Sequence, residues 1–489
     1  MGRGLFTNRR NPNPFGGTLL KKRARSGKLN PVVLNLKFAS GVINISIFGL
    51  GFNIVTSVLF WGAALLVLVR VIVKSLGRGD VGLIKLPSPK ATVEKTVYAL
   101  LSEKSGVNIN IKIIIFGLCI RLVMLLLAYI FLRIEGRDAY LSFAGVFRSF
   151  NRWDAPHYLV LADIGYSYIE NGRHLFVVFF PLYPYLIRLV NVLAGSYFAS
   201  AYIVSFAAYA AGLCYLYRLV RLDFGESTAW WAVALISIFP HSIFLGAPHT
   251  ESLFILTTAM TLYYIRTHKW LLAGMAGALA TATRMVGVIL IAAAAVEFVM
   301  TYELFSKMRK GKWNEFFDLV LKKGLFILLM FAGTIVYLLI NWRITGDPFR
   351  FMYYQRINWN NGFRYFGLIM RGQFYSIRPY IGNMWENSML YIAVPNILGF
   401  GFTVWMIAYA SLRRYNAGYI VYALGYTFVS FSMAWLISGG RYAVALVPSF
   451  VFLADYVSRK LHRQIIVPLI FILLLLPILR MYVLGGFVM

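Results

Sequence analysis

The chain has 489 residues, 60% of them hydrophobic and only 13% charged, with a mean hydropathy of +0.69, so most of its length cannot face water and two separate soluble domains are excluded. The net charge of +30, in so apolar a chain, points to basic loops held beside anionic lipid headgroups and not to nucleic acid. Two cysteines, Cys119 and Cys214, both inside apolar segments, offer neither a disulfide framework nor a thiolate metal site. An all-α polytopic membrane protein is expected.

Residues 1–30 are basic and rich in Pro, Gly and Asn, with no apolar stretch of signal-peptide length, which predicts a disordered cytoplasmic tail. Residues 31–112 form the next unit. Their apolar run 33–73 is interrupted by glycines and asparagines and flanked by basic clusters, which predicts a hairpin of two helices followed by a basic loop. Residues 113–489 read as one transmembrane domain. A span needs about 17 to 25 apolar residues, and such runs lie near 113–133, 197–217, 229–246, 250–266, 325–343, 388–410, 417–437, 441–457 and 464–484. The run 270–302 is too long for one span and predicts two short ones around Arg284, giving about eleven core helices.

Charge sets the orientation. Lys and Arg collect at 9–28, 74–112, 218–221, 266–269, 307–323, 413–414 and 459–463. These clusters share the cytoplasmic side only if 179–193 (FFPLYPYLIRLVNVL) lies along the outer membrane surface without crossing it. The outer face then receives the loop 134–196, the corner PHSIFLGAPHTES (240–252), Arg284, the loop 344–387 and SGGR (438–441). Every unusual polar residue falls on one side, which predicts a single vestibule.

In NRWDAPHYLVLADIGY (151–166), Asp154 is either a helix cap or a base that takes a proton from a sugar hydroxyl. Trp153 sits beside it, and His157 follows one turn on as a hydrogen bonder. His249 and Glu251 stand where a span begins, as a cap complementing the helix dipole or as a second acid for the vestibule. Arg284 at a span centre costs about 2.5 to 3.5 kcal/mol on insertion scales. Its segment ATATRMVGVIL holds no acid, so a phosphate is its expected partner. Arg441, after two glycines, either snorkels to the interface or completes a phosphate clamp with Arg284. The stretch TGDPFRFMYYQRINWNNGF (345–363) is an interfacial aromatic belt or a sugar platform, with rings such as Trp359 stacking on pyranose and Gln355 or Asn358 reading hydroxyls. No metal-ligand spacing and no nucleotide-binding glycine loop is present, so neither a metal nor a cofactor is expected.

Taken together, RWDAPHYLVLADIGY, FFPLYPYLIRL, HTESLF, ATRMVG, TGDPFRFMYYQRINW and SGGRYAVALVP, in that order over about 113–484, resemble the PIG-V type mannosyltransferases, whose eukaryotic members add the second mannose in GPI-anchor assembly. In HTESLF, Thr250 stands where that family usually has serine. The resemblance implies a GT-C-type membrane glycosyltransferase that inverts the anomeric centre and takes mannose from a polyprenyl- or dolichyl-phosphate donor. It implies an acceptor that is a membrane glycolipid or lipid-linked oligosaccharide, and Asp154 as the acid in the superfamily's usual catalytic position in the first outer loop. A sugar-lipid or lipid transporter and a non-catalytic membrane assembly subunit are the rival readings.

The charge distribution predicts that the loop 303–324 lies opposite to Asp154. In a background with Cys119 and Cys214 replaced, an impermeant thiol reagent added from the Asp154 side should modify a cysteine at position 170 and spare one at 310. The reverse pattern would overturn the topology.

Overall fold

The computed structural model describes residues 45–77, 108–377 apart from 171, 390–486 and 488, all within one compact unit that begins at Ile45. The basic tail, the loop 78–107 and the start of the expected hairpin lie outside the described residues. The helices that carry the argument are α1 Ile45–Ser75, α2 Ile109–Ile134, α3 Ala155–Asp163, α4 Leu182–Ala194, α5 Tyr197–Phe224, α6 Glu226–Ile238, α7 Glu251–Arg266, α8 Trp270–Thr283, α9 Leu290–Thr301, α10 Ala332–Thr345, α11 Arg350–Trp359, α12 Phe366–Ile377, α13 Leu390–Leu412, α14 Ala417–Phe431, α15 Gly439–Ala445, α16 Val447–Ser458 and α17 Leu461–Val483. Among the described residues there are two isolated β-bridges and no strand. The chain is an all-α, multi-pass membrane protein.

Each expected core segment is helical, but their lengths differ from the expectation. Among the described residues, six helices are long and apolar enough to cross a bilayer: α1, α2, α5, the run Trp313–Thr345, α13 and α17. A seventh crossing exists if α15 and α16, bent by 72°, count as one. The other expected spans, α6 to α9 and α14, run to only 12 to 16 residues. At 1.5 Å per residue these reach roughly 18–24 Å against a hydrocarbon core of about 30 Å. They can be short where they are enclosed by other helices: Phe254, Leu290, Tyr419 and Tyr422 are fully enclosed in the main core, as is Ala280 of α8, whose other face, with Leu271, Met275 and Leu279, is exposed. Buried in protein, their ends need not meet headgroups, and irregular backbone is tolerated there.

The described part of the expected hairpin is a single unbroken helix, α1, of 31 residues. Of its glycines, Gly49 marks close packing, while Gly51 and Gly62 have no neighbour within 4 Å of a built Cβ. A Cβ on Gly49 would stand 3.0 Å from the Phe374 ring of α12, and Phe52 lies 3.3 Å from the place where Gly401 of α13 would carry one.

The segment 179–193 folds as α4, whose 13 residues span about 20 Å, too short to cross. Gly195, at φ 65°, turns the chain, and Ser196 caps α5 through the Ala199 amide. Tyr183 and Ile187 pack on Ala201 and Val204 of α5, while Leu189, Val192 and Leu193 stay exposed. Arg188 points inward and donates to the carbonyls of Ala162 and Asp163 at the end of α3.

Arg121, in the middle of α2, is 3% exposed and has no ion pair with a carboxylate among the described residues. Its guanidinium donates to the carbonyls of Ser237 and Ser242, both at 2.5 Å, and sits 4.6 Å above the Tyr209 ring. Ser237 lies in the last turn of α6, where carbonyls lack intrahelical partners and the dipole favours a cation. Arg121 therefore ties the corner 239–250 to α2. Arg121→Leu should leave two carbonyls buried and unpaired, at a cost of about 1–3 kcal/mol, read as a lower melting temperature of the detergent-solubilised protein. An unchanged melting temperature would show that the corner has another anchor.

Candidate active site

Asp154 occupies the N-cap position of α3, after Trp153 in the left-handed region (φ 57°) and before Pro156 in the first turn. Its side chain makes no cap hydrogen bond. It accepts instead from Nη1 of Arg441, at 3.0 Å, so the cap reading of Asp154 does not hold.

Arg441 lies on the short helix α15. The Gly439 amide donates to Asn396 Oδ1 on α13 at 2.7 Å, which fixes where α15 starts. The arginine is 3% exposed and does not snorkel. Its Nε donates to Oε1 of Glu251 at 2.7 Å, and its guanidinium lies 4.7 Å above the Phe244 ring.

Glu251 is the first residue of α7 and is wholly buried. The same Oε1 also accepts from Nη2 of Arg284 at 3.3 Å. Arg284 sits in extended backbone (φ −152°, ψ 144°) between α8 and the 3-10 turn 285–289. This break turns its side chain toward α7, where it lies 5.8 Å from the Phe254 ring centre. Its own segment holds no acid, as expected, but Arg284, for which a phosphate was the expected partner, has an acid partner from 33 residues earlier in the chain.

The result is one ionic chain, Asp154–Arg441–Glu251–Arg284, made of two carboxylates and two guanidinia. Three polar atoms around it have no hydrogen-bond partner among the described residues: Arg284 Nη1, Glu251 Oε2 and His249 Nδ1. Burial by itself would raise the Asp154 carboxyl, but Arg441, together with His249 and His157, holds it below its ordinary 3.8.

His249 is fully buried, and its Nε2 lies 3.0 Å from the Tyr482 hydroxyl. That hydroxyl donates to the Phe150 carbonyl, so Nε2 must carry the proton and Nδ1 keeps a lone pair. Burial, and then the charge on Arg441, lower His249 to about 4, so the ring is neutral at pH 7. His157 packs its ring between Phe176 and Phe179, with centroids at 4.9 and 5.4 Å.

The structure therefore brings together Asp154, His249, Glu251, Arg284 and Arg441, with Trp153 and His157 flanking them in sequence. Gln355 and Trp359, on α11, sit apart from the ionic chain. Gln355 bonds Asn361, and Trp359 packs on the cluster around Phe176 and Tyr337. Sequence reasoning missed Tyr482, Asn396, Phe244 and Arg121. Only Arg121 carried a signal, as a charge inside an apolar span.

Comparison with known proteins bears on this geometry. Residues 180–337 match a family described as dolichyl-phosphate-mannose-protein mannosyltransferase. That segment contains Glu251 and Arg284 and excludes Asp154 and Arg441. A curated relative, GPI alpha-1,6-mannosyltransferase 2 of Cricetulus griseus, is 28% identical over 156 residues, which make up 30% of this chain and 31% of that protein. The aligned part thus spans about a third of the relative's length. Among solved structures, the oligosaccharyltransferase of Archaeoglobus fulgidus in its apo form is 11% identical, covering 76% of this chain and 56% of that one, with a TM-score of 0.39. The same organism's enzyme in complex with an inhibitory peptide and a dolichol-phosphate is 12% identical over the same shares, with a TM-score of 0.38. The expected likeness to mannosyltransferases is found, over a narrower segment than the quoted motifs cover.

A buried carboxylate shared by two guanidinia should be costly to neutralise. Glu251→Gln keeps the shape but removes the negative charge shared by Arg284 and Arg441, a loss of about 3–5 kcal/mol. Asp154→Asn, at a position whose side chain is 28% exposed, should cost clearly less. Denaturation of the two purified variants checks this ranking, and equal losses would contradict it.

Proposed function

We propose that the chain is an integral membrane glycosyltransferase that moves a mannose from a polyprenyl- or dolichyl-phosphate donor to a membrane glycolipid or lipid-linked oligosaccharide, with inversion. The observation that carries this reading is the Asp154–Arg441–Glu251–Arg284 chain, in which arginine donors meet an accessible carboxylate inside a helical membrane bundle. The mannosyltransferase likeness of 180–337 supports it. The site faces the endoplasmic reticulum lumen in a eukaryote or the cell exterior in a prokaryote.

The chemistry is a single displacement. The acceptor hydroxyl oxygen bonds to the anomeric carbon and its proton passes to Asp154. The bond from that carbon to the phosphate oxygen breaks, and the lipid phosphate leaves with the electron pair. Asp154 is the base because its side chain is 28% exposed while Glu251 is at 0%. A carboxylate paired with arginine is a weak base. The donor phosphate is the natural competitor for that arginine: its oxygens offer guanidinium a bidentate partner, draw Arg441 and the free Nη1 of Arg284, and release Asp154. The arginines then stabilise the charge developing on the departing phosphate. His249 Nδ1 accepts a sugar hydroxyl, Trp153 and His157 line the approach, and Gln355 and Trp359 form the outer sugar platform. A transporter reading fits less well, because the charges gather at helix ends and breaks, and no related halves are seen in the sequence.

Incubation of the purified protein with radiolabelled polyprenyl-phosphate mannose and a crude lipid extract should yield a new labelled lipid. Asp154→Asn should retain donor binding and lose roughly two to four orders of magnitude in turnover, whereas Arg284→Ala should lose donor affinity as well. If Asp154→Asn transfers at near wild-type rate, the base is another residue.

A further inference from the structure

Beside the ionic chain runs an apolar groove of about 560 Å³, walled by α13 and α17 and floored by Phe239–His241 and Gly440. Both walls are spans by length and hydropathy, and Leu398 and Leu474 on the two walls are exposed, so its mouth faces lipid. Pro395 and Pro477 stand on opposite walls. Lacking an N–H, they bend helices locally.

The inner end is different. His241 is 2% exposed, lines the groove, and its Nε2 has no hydrogen-bond partner among the described residues. A buried polar atom left unpaired is costly, and a hydrogen-bonding ligand would recover that cost. Burial, and then the Arg441 charge, lower His241 to about 3, so the imidazole is neutral. Gly440 is needed here: a Cβ would stand 2.2 Å from that ring. No Lys or Arg lines the groove, so it offers a phosphate no cation. One ring links it to the reaction centre, since Phe244 lies parallel to His241 with centroids 6.4 Å apart and carries the Arg441 guanidinium on its face.

We propose that this groove seats the acceptor lipid, holding one acyl or alkyl chain while His241 Nε2 hydrogen-bonds an uncharged ester, ether or hydroxyl oxygen where that chain joins its head group. The inference rests on the transferase reading and deepens it. The two lipid substrates enter separately: the donor phosphate goes to Arg284 and Arg441, and the acceptor chain slides between α13 and α17.

The test uses the full chain in nanodiscs and two photoactivatable probes, a monoacylglycerol and a polyprenyl phosphate, each with a diazirine on its chain. The monoacylglycerol should label peptides from 391–402 and 471–478, and excess unlabelled polyprenyl phosphate should leave that labelling in place. His241→Phe should weaken it roughly five- to tenfold, the loss of one hydrogen bond, and Leu398→Trp, which fills the groove, should abolish it. In the transfer assay Leu398→Trp should need more lipid extract for half-maximal transfer with donor binding unchanged. Labelling of these peptides by the polyprenyl phosphate probe, or its displacement of the neutral one, would assign the groove to the donor and overturn the proposal. So would absence of labelling by either probe, or an unaltered dependence on extract. Capture does not require transfer, so a protein that captures the neutral probe but moves no mannose refutes the transferase reading while the lipid groove stands.

Discussion

Glu251 is a carboxylate with no exposure, held by two arginines on one of its oxygens. Burying one ion costs several kcal/mol even after relaxation, and the cost is recovered only where geometry places the opposite charge well. The local irregularities around Glu251 serve that placement. Arg121 pins the corner that delivers Glu251, extended backbone at Arg284 turns its side chain to α7, and Asn396 fixes the start of α15 so that Arg441 reaches both acids. The helices are interrupted where the charges have to meet.

The opposite end of α7 is held in a similar way. Arg266, its last residue, pairs with Asp223 at 2.6 Å and Glu297 at 2.8 Å. Tyr419 donates to Asp223 and Asn416 to Glu297. With 1.5 Å of rise per residue, Glu251 and Arg266 stand about 22 Å apart, and α7 is pinned by ions at both ends. A helix fixed twice cannot slide, which suits a position that must hold a buried carboxylate between two cations. Near the bend-following helix α16, Asp455 is likewise shared by Arg459, Tyr409 and Tyr415.

Much of the site was legible in the sequence because charges inside apolar runs are conspicuous: Arg284, Arg441 and Glu251 each violated the pattern around them. Their partnership was not legible. No acid lies near Arg284 in sequence, and the distance of 33 residues to Glu251 is closed only by the packing of α7 on α8. Whether the Asp154 side chain caps its helix could be read only once the direction of its carboxylate was known, since its N-cap position alone does not show it. Helix lengths were overestimated for the same reason that Tyr482 was missed. A residue buried among other helices carries no periodic sign of where its helix stops or which side chain it meets. Within 45–75, the described part of the expected hairpin, the chain is one helix, and Gly49 serves close contact with Phe374 there and does not break it.

The division between the two acids follows from their surroundings. On the proposed mechanism Glu251 is a poor candidate for the working base, since a proton placed on it would strip Arg284 and Arg441 of their shared counter-charge, with Glu251 and Arg441 both buried. Asp154 can change state, because its side chain keeps 28% exposure and a single arginine contact. The formal charges of the four residues cancel before substrate arrives, so an incoming phosphate adds negative charge to a balanced set and must take its share of the arginines from the carboxylates. Glu251, bonded to both, is the harder to displace. On the proposed mechanism Asp154, bonded to one, would yield first, and the proton of the acceptor hydroxyl would then restore the balance that the phosphate upset.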